Sequence, residues 1–443
     1  MRYNSAYILG ISFISALGGY LFGFDFAVIS GALPFLRTEF DLNPWWEGFL
    51  TGSLALGCII GCLLAGRIAE RSGRKPGLMT AAAIFAVSSI GMAMAHNLSL
   101  FVFMRFCAGI GVGMASLLSP MYIAEISPSA VRGRNVAINQ LTIVTGILIT
   151  NLVNYSLADN GPEAWRWMFG LGAIPSILFF FGVLLLPESP RWLMMRGRRD
   201  NALTVLKKLG DDSFANDTLN DISKSTADVQ APGYKAVFAK AVRPAVVVGI
   251  VLAVFQQLCG INVVFNYTST IFAAAGADLD RQLLETVGIG IINLIFTVLA
   301  MWQVDKLGRK PLMMIGSLGL AIMYVVLSIV LQMQVSLVWV SIFVLAAIAI
   351  YATSLAPVTW VLISEIFPNR IRSRASTVAI MCLWGAYFIL VFTFPILAEK
   401  LGTYGPFYLY AGICLAGFIF ISRKVKETKG RTLEQLETEL VMH

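Results

Sequence analysis

ERSGRK at residues 70–75 returns as DKLGRK at 305–310, an offset of 235 residues. EISPSAVR at 125–132 returns as EIFPNRIR at 365–372, an offset of 240, with Glu, Pro and Arg at the same internal places. PES at 187–189 is echoed by KET at 426–428, its Glu 239 residues further on. One such match would be unremarkable. Three in order at near-equal offsets mark an internal duplication.

What is duplicated follows from the stretches between the motifs. The chain has 443 residues, 57% of them hydrophobic and only 13% charged, where a soluble domain carries about 25% charged. Apolar runs long enough to cross a bilayer as helix, about 20 residues, recur along the whole length. Twelve can be read, from about 6–36 to about 403–423, six on each side of a polar segment. No cleavable signal peptide is expected, because the first run is too long and lacks a small-residue cleavage site. The expected organisation is an all-α membrane protein of twelve transmembrane helices. A six-helix bundle spans 1–187, a cytoplasmic linker with short surface helices 188–243, a second bundle 244–424 and a cytoplasmic tail 425–443. Parallel six-helix halves about a pseudo-two-fold along the membrane normal are one way transporters are built.

The net charge of +8 does not call for nucleic acid. With the N-terminus in the cytoplasm, 28 of the 33 Lys and Arg fall on the inner side. That asymmetry places both termini in the cytoplasm and allows contact with anionic lipid. The six cysteines all lie in apolar spans without a CxxC pair, as small buried hydrophobes do. The histidines, His96 and His443, assemble no metal motif, and GxSxG, HExxH and P-loop signatures are absent. Neither an enzyme nor a cofactor or metal site is expected.

The repeated motifs carry acids and bases at inner ends of helices, around Gly73 and Gly308, which permit a tight turn. Glu70, Arg71, Arg74, Glu125, Arg132, Glu188 and Arg191 in one half, with Asp305, Arg309, Glu365, Arg372 and Glu427 in the other, are expected to form an ion-pair lock on the cytoplasmic side. Isolated surface pairs contribute little, but a network at a two-state interface biases populations.

GRIAERSGRK, VDKLGRK, PMYIAEISPSAVRGR, PESPRWL, QQLCGINVVFNYT, PVTWVLISEIFP and the terminal ETKG together resemble the sugar porters of the major facilitator superfamily, over about residues 15–435. The resemblance implies two pseudo-symmetric six-helix bundles and monosaccharide transport by alternating access, as a facilitator or a proton symporter. It implies sugar contacts at Gln140, Gln256, Gln257, Asn262, Asn293 and Trp384. Departures from the family pattern are Ala356 for a frequent Gly, Asn266 in place of the first of two tandem Tyr, Leu383 for a polar residue and Lys426 for Pro. At Asn266 an outer gating aromatic is thus expected to be missing.

The residues themselves support a polar cavity. Gln256, Gln257 and Asn262 in span seven, Gln140 in span five and Asn293 in span eight each offer donors and an acceptor, as sugar hydroxyls do. On a regular helix Gln257 and Asn262 would point about 140° apart, so a break near Gly260 is needed to turn them to one ligand. Span one carries Gly18, Gly19, Gly23, Gly31 and Pro34, and a matching irregularity is expected there. Trp360 and Trp384 can stack on a pyranose face, and Phe22 can line the same pocket.

Asp25 lies within the apolar run GYLFGFDFAVISG at 19–31. A charged Asp in hydrocarbon is costly. Arg105, in the outer half of span four, is placed to pair with it. A permanent salt bridge and a proton-coupling site both remain open from this placement. Proton-coupled sugar porters carry Asp at the matching position and facilitators a neutral residue. Some symporters add an acid in span six, where this chain has Gly172. The reading is therefore a proton-coupled monosaccharide symporter for a pentose or hexose such as xylose or glucose, monomeric and in the cell membrane. The alternatives are a facilitative uniporter and, less favoured, a membrane sugar sensor.

Overall fold

A computed structural model describes residues 3–128, 130–227, 234–240, 242–368 and 371–429, without the side chains of 224–227, 234–235, 304–305, 364–365 and 372–373. The first six spans are α1 (Ser5–Phe40), α2 (Pro44–Arg71), α3 (Arg74–Ala93), α4 (Leu98–Ile126), α5 (Arg132–Leu157) and the pair α6 (Ala164–Gly170) and α7 (Ala173–Leu185). Three short helices follow: α8 (Pro190–Met195), α9 (Arg199–Leu209) and α10 (Asp212–Ala227). Span seven is α11 (Arg243–Leu258), α12 (Ile261–Asn266) and α13 (Thr268–Ala274). Then come α14 (Leu279–Leu307), α15 (Arg309–Gln332), the pair α16 (Leu337–Thr353) and α17 (Leu355–Ile366), α18 (Arg372–Leu401) and α19 (Gly405–Lys424). Twelve of these spans are long and apolar enough to cross a membrane. Many of their large side chains stay exposed, Val87 at 65% and Leu185 at 79% among them. Such exposure is costly in water and costs nothing against lipid tails.

The contacts form two compact units. One joins 1–25, 57–146 and 169–231; the other joins 26–56, 147–168 and 232–443. In the first, α3 packs against α4 and α7; in the second, α15 packs against α16 and α19. Third and ninth spans thus have equivalent neighbours, which is how a duplicated packing plan reads in contacts.

Span one corrects the expectation of a matching irregularity. α1 is a single helix of 36 residues that continues through Pro34. Its glycines serve close packing instead. A Cβ on Gly19 would come 2.7 Å from the Asn139 carbonyl of α5, one on Gly18 would strike Ser119 of α4, and one on Gly31 would strike the Asn154 amide. Small residues that let backbones approach are a common device between membrane helices. Span seven does break. Gly260 takes φ +90°, ψ −9° between α11 and α12. A left-handed residue costs little only for glycine.

Of the two prolines that mark flexible sites in spans four and ten, Pro120 and Pro357, only the second lies beside a break, and span six adds a break that the sequence did not mark. Span six divides at residues 171–172, where Ser176 donates to the Gly172 carbonyl at 2.7 Å. Span ten divides at Ser354, whose hydroxyl donates to the Ile350 carbonyl at 2.5 Å, three residues before Pro357. The span-four helix, by contrast, runs unbroken through Pro120.

Candidate functional site

Asp25 and Arg105 meet as expected, both without exposed surface. Arg105 Nη1 stands 3.5 Å from Asp25 Oδ1. Charge-assisted N–H···O bonds ordinarily run about 2.7–2.9 Å, so the pair is loose. Asp25 Oδ2 and Arg105 Nε and Nη2 find no hydrogen-bond partner among the described residues. The guanidinium carbon stands 5.8 Å from the centre of the Phe169 ring. Of this buried, imperfectly satisfied pair only the Asp25 carboxyl can take up or release a proton, since the arginine stays charged.

The amides of span seven gather in the second unit. Gln256 Nε2 donates to the Tyr351 hydroxyl at 2.7 Å, and Gln257 Nε2 to Gln256 Oε1 at 2.7 Å. The turn at Gly260 brings Asn262 into hydrogen-bond contact with Gln257. Asn266 Nδ2 then donates to the Asn262 carbonyl at 2.6 Å, and Asn266 Oδ1 accepts from the Tyr387 hydroxyl at 3.0 Å. The result is a continuous polar chain from α16 to α18. Trp384 sits one turn before Tyr387, 3% exposed, with the two rings edge to face at 5.7 Å. Asn293 on α14 is 4% exposed.

A polyol entering here would exchange its hydroxyls for bonds these amides now make to one another. Trp360, on α17, keeps 39% of its surface exposed and joins none of these bonds. Gln140 and Phe22 are half-buried on α5 and α1 and belong to the first unit.

The chain holds polar members that the motifs did not announce. Tyr351 and Tyr387 were missed. The available signal for Tyr387 was its i+3 spacing from Trp384, which puts both on one face of α18. It also supplies an aromatic beside Asn266, where the departure from tandem Tyr made one seem missing. The ring of Tyr387 lies 5.1 Å from that of Phe26, the residue after Asp25.

At the repeated motifs, Arg74 makes a two-pronged pair with Glu125, Nε to Oε2 at 2.9 Å and Nη2 to Oε1 at 2.7 Å. Ser189 adds a 2.5 Å bond to the same carboxylate. Glu188 forms no ion pair of its own among the described residues. It accepts instead from the backbone N–H of Arg74 at 2.9 Å and Lys75 at 3.2 Å, at the positive end of α3.

Glu427 does the same at α15, accepting from the N–H of Arg309 and of Lys310, each at 3.0 Å. Burial pushes its carboxyl up, but backbone donors from Lys429, Arg309, Lys310 and Thr428 outweigh this and hold it below the ordinary glutamate value. Glu70, Arg71, Arg132 and Arg191 are exposed and form no ion pair among the described residues. Glu70 and Arg71 contribute carbonyls to Arg196, at 2.8 and 2.9 Å, a contact no motif suggested. The side chains of Asp305, Glu365 and Arg372 lie outside the described residues. The expected web of charge pairs is thus, where described, largely carboxylates capping helix ends.

Twelve apolar spans in duplicated packing, a buried acid–base pair and an amide chain beside a helix break define a multi-pass membrane carrier. The chain belongs to the family of sugar (and other) transporters, whose pattern matches residues 11–440. It is 38% identical over 475 residues to the D-xylose-proton symporter of Escherichia coli K12, covering 98% of this chain and 96% of the relative. A partially occluded inward-open structure of the xylose transporter XylE from E. coli aligns with TM-score 0.87 at 37% identity, over 97% of this chain and 100% of that one. XylE bound to 6-bromo-6-deoxy-D-glucose, described as a major facilitator superfamily proton:xylose symporter, aligns with TM-score 0.83 at 38% identity, over 99% and 100%. The fold is accordingly that of the major facilitator superfamily.

Proposed function

We propose that this protein is a proton-coupled monosaccharide symporter working by alternating access, with a pentose or hexose as substrate. Gln256, Gln257 and Asn262, with Gln140, Asn293, Trp384, Trp360 and Phe22, line the sugar path. Asp25 carries the proton, and Arg105 neutralises it when the proton has left. The bodies that rock are the sequence halves 1–187 and 244–424, with both termini in the cytoplasm, in keeping with the distribution of Lys and Arg. The observation that carries the coupling is the loose Asp25–Arg105 contact inside a fully buried setting. A carboxylate free of solvent and held at 3.5 Å is poised to become neutral when its surroundings change.

The test is Asp25→Asn in reconstituted vesicles. Sugar-driven proton uptake is expected to vanish while sugar counterflow, which needs no net proton movement, continues. Proton uptake persisting in the variant would remove Asp25 from the role.

A further inference from the structure

An arginine keeps its proton at any accessible pH. Arg105 therefore needs company for its charge whether or not Asp25 is ionised. When Asp25 takes a proton on a carboxylate oxygen, its negative charge disappears and the 3.5 Å contact loses its attraction. The neighbours decide what remains. α1 supplies Asp25 itself. α2 supplies Cys58, within electrostatic reach of both charges, with Cys62 beside it. The buried face of α3 is neutral from Gly77 to Met92. Among the buried residues of α4, Arg105 is the one charge.

α6 supplies Phe169, whose ring centre lies 5.8 Å from the guanidinium carbon. That is within the range of cation–π attraction, about 6 Å, which is stronger where water is absent. Phe169 is fully buried and is held by Phe101, ring centres 5.1 Å apart at 84°, so its face is fixed.

We propose that Phe169 is a positioning residue that holds Arg105 while Asp25 is protonated, and so sets the pH at which Asp25 gives up its proton. This rests on the reading of Asp25 as proton carrier. The sign follows from which state uses the ring most. Weakening the ring's attraction destabilises the state with neutral Asp25 and a lone Arg105, so the proton leaves more readily. The protonation midpoint then moves to lower pH.

The experiment titrates the infrared carbonyl band of protonated Asp25 in the purified full-length protein, assigned as the band that Asp25→Asn removes. Trifluorophenylalanine at position 169 keeps the ring's shape while withdrawing electrons from its face, so folding is not at stake. The expected result is a midpoint about half to one pH unit lower, a three- to tenfold weaker hold on the proton. Phe169→Leu is expected to lie at the far end of that range, and Phe169→Tyr near the wild type. If the band titrates in the wild type but at the same pH in the fluorinated protein, the role of Phe169 is overturned and that of Asp25 stands. If Asp25→Asn removes no titrating band, the carrier reading fails and takes this inference with it.

Discussion

Spans one and seven begin the two halves of a duplicated chain, yet they are built differently. α1 is an unbroken rod of 36 residues whose glycines admit neighbouring helices. Span seven is three pieces, broken at Gly260 with φ +90°. The rod carries a carboxylate; the broken span carries amides. A single charge needs one enclosed spot, which a continuous helix can supply. A polyol needs several groups converging from one segment, and a regular helix splays them. Spans at equivalent places in the duplication have thus diverged in backbone, one continuous and one broken.

The largest effect expected is at Gly260. Alanine there must adopt a left-handed conformation at about 1–2 kcal/mol, and its Cβ would lie 2.6 Å from the Tyr410 ring, an overpacking costing about 1–3 kcal/mol more. Gly260→Ala should lower the melting temperature and abolish sugar counterflow. Tyr387→Phe comes next. It leaves the Asn266 acceptor buried without its donor, which costs about 1–3 kcal/mol. It should weaken sugar uptake while sparing the helix break, read as a raised half-saturation with a modest change in melting.

Gly31→Ala should cost less than Gly260→Ala, because overpacking of about 1–3 kcal/mol is offset by about 1 kcal/mol of helix propensity. Equal losses at Gly31 and Gly260 would erase the contrast between rod and broken span.

Where the halves agree, a smaller effect is expected. The lowered titration of Glu427 means its contribution is complete above the ordinary glutamate value, about 4.3, and is lost as pH falls through its folded value. Glu427→Gln should lower the melting temperature modestly at neutral pH, where the charged carboxylate acts, and flatten the acid limb below about pH 4.3, so that the two proteins converge in acid.

Much of this was legible beforehand, for physical reasons. Twelve spans follow from apolar length, and the duplication from three offsets. Asp25 and Arg105 were paired by depth, since both lie in the outer half of their spans. Gly260 was legible because span seven offered one glycine among convergent amides.

Span one misled because four glycines and a proline read alike whether they break a helix or admit a neighbour; only tertiary contact separates the cases. The break in span ten was marked by Pro357 as a flexible site, but its place at Ser354 was not, since serine bends a helix through its own hydroxyl bond to a carbonyl a turn back. The motif carboxylates were read as partners for side-chain cations because a sequence shows charges and hides backbone N–H groups. Tyr351 and Tyr387 escaped because tyrosine in an apolar span looks like packing until its hydroxyl finds an amide.

The glutamates that close α3 and α15 also set a timetable for biogenesis. Glu188 reaches back 114 residues to Arg74, and Glu427 reaches back 118 to Arg309. The first clasp can therefore fasten while the ribosome is still making the later spans. The second must wait until the final span has been threaded into the bilayer and the stretch beyond it has emerged. A translation product halted before residue 427 would insert every span and still leave one helix start unclasped.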